Sequence, residues 1–430
     1  MYTPSSSQPH NGSIPASMLV ILALLMTAAF FPGFGTNDIW IWQGWGENAF
    51  NNGLVEGYRL NQHEHPPGLT VLLWSACYLA DFLRLPVFYG IKISFLPFLF
   101  ASTFIIYGWS QRNLLATLFF HGIFSYTCLA LCYIDIYITP FLLLAFYKFE
   151  KQKTAQGMLA FAIACLIKYP ALIVLPFVLS FILFRATESE SGKSRVMACI
   201  QAIMPACIMA GLVLLMFGHE PLYALQRAFQ HNILSAQALN LNWIIGRYLL
   251  LFTHTPHMAS SLDPATFMIA DKQFPAVIKT GARGLFLLFY LLALVFFFRR
   301  SKSTENLLVF ALLGHFAYFM FSIGVHENHL YLSCLLAMAL FCCKPATLPI
   351  AIGICLISSI NMFFFYGMDG HMPEIFPAHN PALDHYDLGA DTWKNAGYPF
   401  DIRLLLAIFN LLYFFALWAD VIKKKPDASS

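Results

Sequence analysis

Apolar runs of about twenty residues, separated by short turns that carry lysine or arginine, recur along this chain. A run of that length matches the hydrocarbon thickness of a bilayer, and in lipid every backbone polar group must find its partner within its own segment. Such a chain can fold only as a bundle of membrane helices, here over roughly 16–32, 89–109, 114–133, 136–149, 155–169, 170–185, 196–217, 276–298, 305–323, 328–343, 346–366 and 402–421. Composition agrees: of 430 residues 59% are hydrophobic and 11% charged, against about 25% charged in a soluble domain. The expected fold is an all-α polytopic membrane protein, a single domain over 1–430 with about twelve spans. The first run, Ser17–Pro32, is expected to be a retained span rather than a removed signal peptide, because no lysine or arginine precedes it and no small-residue cleavage site follows.

The basic turns (Arg112, Lys148–Lys153, Arg185–Arg195, Arg299–Lys302, Lys344, Lys423–Lys425) then share one side, which the positive-inside rule makes cytoplasmic, together with both termini. A further apolar stretch, Leu69–Leu85, breaks this alternation if counted as a span. It contains Asp81 and Arg84, and is expected to lie along the outer surface. The net charge of +3 gives no reason to expect nucleic acid. The ten cysteines lie in apolar runs without a metal-type CxxC pair and read as small buried hydrophobes.

Polar chemistry gathers in three outer regions, 33–88, 218–275 and 367–401. The first opens with GFGTNDIWIWQGWGENAFNN, where Asp38 stands just past the end of a span and could take a proton from a hydroxyl nucleophile; it could equally begin a helix. His63-Glu64-His65-Pro66-Pro67 follows. Successive residues do not share a face, so this triplet makes a poor metal site and is expected to face a polar ligand in the same cavity as Asp38. No metal or other cofactor is required by any motif, although a divalent ion is left open.

Asp135 in CYIDIYITP and Lys168 in LIKYPAL are isolated ions at the outer ends of apolar runs; each could serve a substrate, or merely cap a helix or snorkel. His326, Glu327 and His329 in GVHENHLYL form a polar cluster beside a helix expected to face lipid. The stretch AQALNLNWIIGR offers Asn240, Asn242 and Trp243 as donors and Arg247 as a guanidinium fork suited to phosphate.

In this order the motifs resemble those of the GT-C superfamily of integral-membrane glycosyltransferases, which use polyprenyl-phosphate-linked sugars and include Alg-type glucosyltransferases, Gpi-type mannosyltransferases and bacterial relatives. The likeness rests on TNDIWIWQGWGENAFNNGLVEGY, HEHPPGLTVLLW, YIDIYITPFLLLAFY with LIKYPALIVLPFVL, SAQALNLNWIIG and GVHENHLYLSCLLA. It implies a catalytic base at Asp38 and a Pro-Pro juxtamembrane helix at Leu69–Leu85. It also implies donor-phosphate or substrate contacts among His326, Glu327, His329, Lys168, Arg247, Asp135, His63, Glu64 and His65. Of the family's Gln-Ser-Asp stretch only Asp135 is kept, and its Lys-Pro pair is interrupted as Lys168-Tyr169-Pro170.

The implied partners are a polyprenyl-phosphate hexose, a glycan or glycolipid acceptor and the bilayer. The implied location is a bacterial inner membrane with the site on the outer face. Two other functions use the same surroundings. A lipid-oligosaccharide flippase or transporter would string polar residues through its spans, and a polyprenyl-linked glycan polymerase or ligase would place arginines in the outer loops. Neither pattern is evident.

Overall fold

The computed structural model describes residues 16–187, 192–230, 234–252, 276–370 and 402–423; large parts of the second and third outer regions lie outside them. The described residues are 84% helical, with no strand among them. The helices are α1 (Ala16–Phe30), α2 (Asp38–Asn52), α3 (Leu54–Asn61), α4 (Pro67–Leu83), α5 (Val87–Trp109), α6 (Leu114–Ser125), α7 (Thr139–Glu150), α8 (Thr154–Ile167), α9 (Leu175–Thr187), α10 (Gly192–Phe217), α11 (Glu220–Ala228), α12 (Leu241–Phe252), α13 (Ala276–Phe298), α14 (Thr304–Phe321), α15 (Tyr331–Cys343), α16 (Leu348–Tyr366) and α17 (Ile402–Lys423).

Among the described residues six helical segments are long and apolar enough to cross a membrane: Val87–Trp109, Val196–Phe217, Val277–Phe298, Thr304–Phe321, Pro345–Tyr366 and Arg403–Lys423. Their packing is that of a bundle in lipid. At its centre, α14 and α15 bury nearly every side chain, Phe316 and Leu336 among them. At its edge, α10 and α13 leave Leu215, Val196, Leu291 and Leu287 open. In water so broad an apolar surface would drive association, whereas lipid solvates it. The chain is therefore an all-α membrane protein.

Two sequence expectations need correction. The helix after His326–His329 does not face lipid: α15 is enclosed, from Tyr331 to Leu340. Not every cysteine is buried either, since Cys207 lies on the open side of α10.

Helix starts obey the local chemistry. Pro66-Pro67 opens α4, where a proline costs no hydrogen bond because the first-turn N–H groups have no intrahelical acceptor. Helix α2 begins at Asp38, without a side-chain cap. The basic connections meet at one end of the bundle, where Lys344 pairs with Glu305 at 2.5 Å and Arg185 donates to the Phe149 carbonyl at 3.1 Å.

At the other end the regular helix breaks down repeatedly. A π-helical turn (Tyr126–Ala130) and three 3-10 turns (Ile134–Ile138, Tyr169–Val174, Glu327–Leu330) carry the chain there. Irregular backbone inside a membrane protein survives only where protein groups satisfy it, and such breaks frequently mark functional positions.

Candidate functional site

The segment between α1 and α2 is fixed from three sides. Gly35 and Thr36 donate their N–H groups to the carbonyls of Ala130 and Leu131, each at 3.0 Å. Phe34 donates to the Asp369 carbonyl at 2.7 Å. Lys92, wholly buried on α5, donates to the carbonyls of Phe31 and, at 2.5 Å, Gly33. Gly33 lies so close to the Ala130 backbone that a Cβ would collide with it, and Gly35 turns the chain at φ +81°. Asp38 thus starts α2 at a position set by backbone contacts. Its carboxylate makes no hydrogen bond to any described residue.

Asp135 and Lys168 come together as a buried ion pair, Nζ to Oδ1 at 2.6 Å, with each residue 3% exposed. The second oxygen, Oδ2, accepts from Asn328 Nδ2 at 3.2 Å. Lys168 therefore does not snorkel outward. Burial of an ion pair is tolerated when its geometry is good and the remaining lone pairs are satisfied, and Asn328 supplies that third contact.

Glu327 is equally enclosed. Its Oε1 accepts from the hydroxyls of Tyr133 and, at 3.0 Å, Tyr366. Tyr366 shares that single hydroxyl proton with Gln237 Oε1, 2.5 Å away. The Glu327 backbone is tied to Ala236, N–H to carbonyl at 3.1 Å, and Ala236 returns a bond to Val325 at 2.9 Å. These bonds bring the AQALNLN stretch and the HENH stretch into a short paired contact. His329 Nδ1 accepts from the His326 N–H at 3.3 Å, which leaves Nε2 as the N–H of the neutral ring; the two rings are 5.3 Å apart.

Electrostatics joins these groups to Asp38. Burial pushes the Asp38 carboxyl up to about 6. Lys168 opposes that rise, while the charges of Asp135 and Glu64 add to it. Asp38 and Glu327 also act on each other. A carboxyl near 6 is ionised at neutral pH yet still basic enough to hold a proton, as a general base requires.

The His63-Glu64-His65 motif divides between two roles. His63 is buried and locked, with Nδ1 accepting from the His65 N–H at 3.2 Å and Nε2 meeting Thr70 Oγ1 at 3.1 Å. Its carbonyl takes a fork from Arg227, at 3.1 and 3.0 Å. Burial, and secondarily the Arg227 charge, lower its pKa to about 4, so the ring is neutral across the physiological range. His63 therefore braces the loop. Glu64 is partly exposed and feels Asp38, and His65 Nε2 lies 3.9 Å from its carboxylate.

Asn240 and Asn242 do not offer their amides to a ligand. Asn240 Nδ2 donates to the Phe319 carbonyl at 2.8 Å, and Asn242 Nδ2 to the Phe321 and Ser322 carbonyls at 3.2 and 2.7 Å. They cap the last turn of α14, whose carbonyls have no helical partner. Trp243 is buried with its ring 5.3 Å from Phe365. Arg247 belongs to α12, but its side chain lies outside the described residues.

The structure thus brings Asp38, Glu64, Asp135, Lys168 and Glu327 into one electrostatic neighbourhood, with His326 and His329 adjoining it. The sequence reading missed Tyr133, Tyr366, Asn328, Gln237 and Lys92. Only Lys92 advertised itself, as a lone charge inside an apolar run, a position that usually has a reason. Among the described residues no three His, Cys, Asp or Glu converge as metal ligands. No protein-family model matches the chain, and no curated protein matches it.

Proposed function

We propose that this protein is a membrane glycosyltransferase of the GT-C type, moving a hexose from a polyprenyl-phosphate carrier to a hydroxyl of a glycan or lipid-linked acceptor. The observation that carries the reading is the convergence of Asp38, Asp135, Lys168 and Glu327 from four segments far apart in sequence. In this reading the bundle has about twelve spans, both termini are cytoplasmic, and the site faces outward from a bacterial inner membrane.

The chemistry assigned to these groups balances. The bond from the anomeric carbon to the phosphate oxygen breaks, and its electron pair leaves with the phosphate. The acceptor oxygen bonds to the anomeric carbon, and Asp38 takes the acceptor proton. An oxocarbenium-like centre forms between the two events, as in other glycosyl transfers. Lys168, His326 and His329 are the groups best placed to offset charge on the leaving phosphate, an effect magnified in a water-poor site. Asp135, itself held by Asn328, holds Lys168 for that role, and the Tyr133 and Tyr366 hydroxyls hold Glu327.

The test is transfer from a panel of polyprenyl-phosphate hexoses in membranes carrying wild type or Asp38→Asn. Consumption of a lipid-linked sugar by wild type, with a loss of roughly 10²–10⁴-fold in the variant, is the expected result. Wild-type membranes that consume none of the donors would overturn the transferase reading. Full activity in Asp38→Asn would remove Asp38 from the base role.

A further inference from the structure

Several buried polar atoms have no hydrogen-bond partner, Gln43 Oε1 on α2 among them, and two belong to nearly enclosed residues on either side of Asp38 in the sequence: Thr36 Oγ1 and Trp42 Nε1. Their residues are 3% and 5% exposed. A buried donor left unpaired costs free energy comparable to a lost hydrogen bond, so each case calls for a cause, and an absent ligand is one such cause. Trp42 is four residues beyond Asp38 on α2, and Trp45 three beyond that. This spacing puts all three side chains on one face of the helix.

The neighbours of that face have a consistent character. The Trp42 ring stands edge-on to Trp45 at 5.1 Å and to His65 at 5.8 Å. Trp45 in turn lies 4.2 Å from the His63 ring and 5.5 Å from that of His65. The His63 ring is immobilised by the His65 N–H and Thr70, so the aromatic wall is built rather than floppy. At its margin stand the carboxylates of Glu64, 3.9 Å from His65, and of Asp38.

Aromatic faces beside carboxylate acceptors and an orphan indole N–H form a specific combination. A pyranose ring presents the complement: apolar C–H faces and hydroxyls that both donate and accept. A phosphate does not, because carboxylates repel it and aromatic faces give it nothing. We propose that the Trp42 face of α2 is a sugar subsite, in which Trp42 Nε1 donates to a hydroxyl or ring oxygen and the Thr36 hydroxyl adds a second contact. The inference rests on the transferase reading but adds to it the residues that recognise the sugar. The ring bound there is either the donor hexose or the acceptor, which share this chemistry.

The subsite can be read directly from the indole ¹⁵N–¹H resonance of Trp42 in the full-length protein in detergent, assigned by its disappearance in Trp42→Phe. The probes are short-chain polyprenyl-phosphate mannose and glucose, the same polyprenyl phosphate without sugar, and methyl mannoside as an acceptor mimic. The Trp42 resonance is expected to move with a sugar-bearing probe and stay still with the bare lipid phosphate. Movement with the lipid-linked sugars alone assigns the subsite to the donor; movement with methyl mannoside assigns it to the acceptor. Trp42→Phe keeps a six-membered aromatic ring and removes the N–H together with the five-membered ring that carries it. It should weaken the probe that moves the resonance about five-fold, the worth of one neutral hydrogen bond, while leaving the bare lipid phosphate unaffected. If lipid-linked sugars bind and shift other resonances while Trp42 stays put, the subsite is wrong and the transferase reading survives. If no sugar-bearing probe binds at all, both fall.

Discussion

Replacing Asp38 by asparagine should remove activity without harming the fold, and the structure says why. The carboxyl sits in a partly buried pocket whose burial and neighbouring acids raise its pKa from 3.8 to about 6. A group whose folded pKa lies above its unfolded value favours the folded state only in its protonated form. Ionised Asp38 therefore works against folding. The penalty is absent below pH 3.8, grows between 3.8 and 6, and is complete at neutral pH. A shift of that size corresponds to a ceiling of about 3 kcal/mol. Because Asp38 is partly exposed, solvent screening brings the expected value nearer ~1–2 kcal/mol.

Asparagine imitates the neutral acid at every pH. In thermal unfolding of purified protein, Asp38→Asn should match wild type near pH 4 and melt higher at pH 7.5. Transfer activity of wild type should climb with pH along a single limb centred near 6, as the base loses its proton. A variant that is destabilised at pH 7.5, or a stability difference that does not grow between pH 4 and 7, would refute the electrostatic argument. An acid limb far from 6 would refute the assignment of Asp38 as the group that must ionise.

Three further outcomes follow from the contacts. Lys168→Met or Asp135→Asn should each cost about 3–5 kcal/mol, because each strands a buried charge, while the double variant should cost far less than their sum; unfolding of all three by denaturant measures the coupling. Lys92→Met orphans the Phe31 and Gly33 carbonyls that lead into Asp38, so it should lower thermal stability, and any residual activity should fall in kcat rather than rise in KM. His63→Gln should keep the pH profile of wild type while losing roughly 1–3 kcal/mol of stability, since the ring is neutral above about 4 and serves only to brace its loop. A second inflection in the wild-type profile that disappears in His63→Gln would contradict this.

The membrane bundle was legible because its signal is additive over twenty residues: length and apolarity are local properties, and α5, α13 and α17 satisfy both. The broken elements were less legible. The π turn Tyr126–Ala130 and the adjoining Leu131 are tied to Gly35, Thr36 and Gly367, and the 3-10 turn Ile134–Ile138 is tied through Asp135 to Lys168 and Asn328, none of them local in sequence. Asp135 and Lys168 could be picked out as unusual, but not as partners, because the ion pair spans 33 residues and no periodicity encodes it. Asn240 and Asn242 show the opposite failure. Their amides looked like ligand donors in the sequence, and the vacant acceptors they satisfy lie on a helix some eighty positions away.

This difference separates two kinds of polar residue in a membrane protein. Some exist because the bundle's own backbone must be satisfied: Asn240, Lys92, His63 and the Nδ2 of Asn242 spend their hydrogen-bonding groups on the chain itself. Others are held by the fold and left with capacity in hand. Asp38 accepts nothing from the described residues. Lys168 spends one of its three ammonium protons on Asp135, and Trp42 donates its indole proton to none of them. A bundle in lipid keeps unspent polar capacity only at a free-energy cost, since water is not there to absorb it. Unpaired buried atoms occur elsewhere in the bundle too, such as Ser110 Oγ, His315 Nε2 and Trp418 Nε1. What sets Asp38, Lys168 and Trp42 apart is that they lie on neighbouring segments at the end where the helices break, beside the Glu327 carboxyl, and this clustering is the physical argument that this end receives a polar molecule.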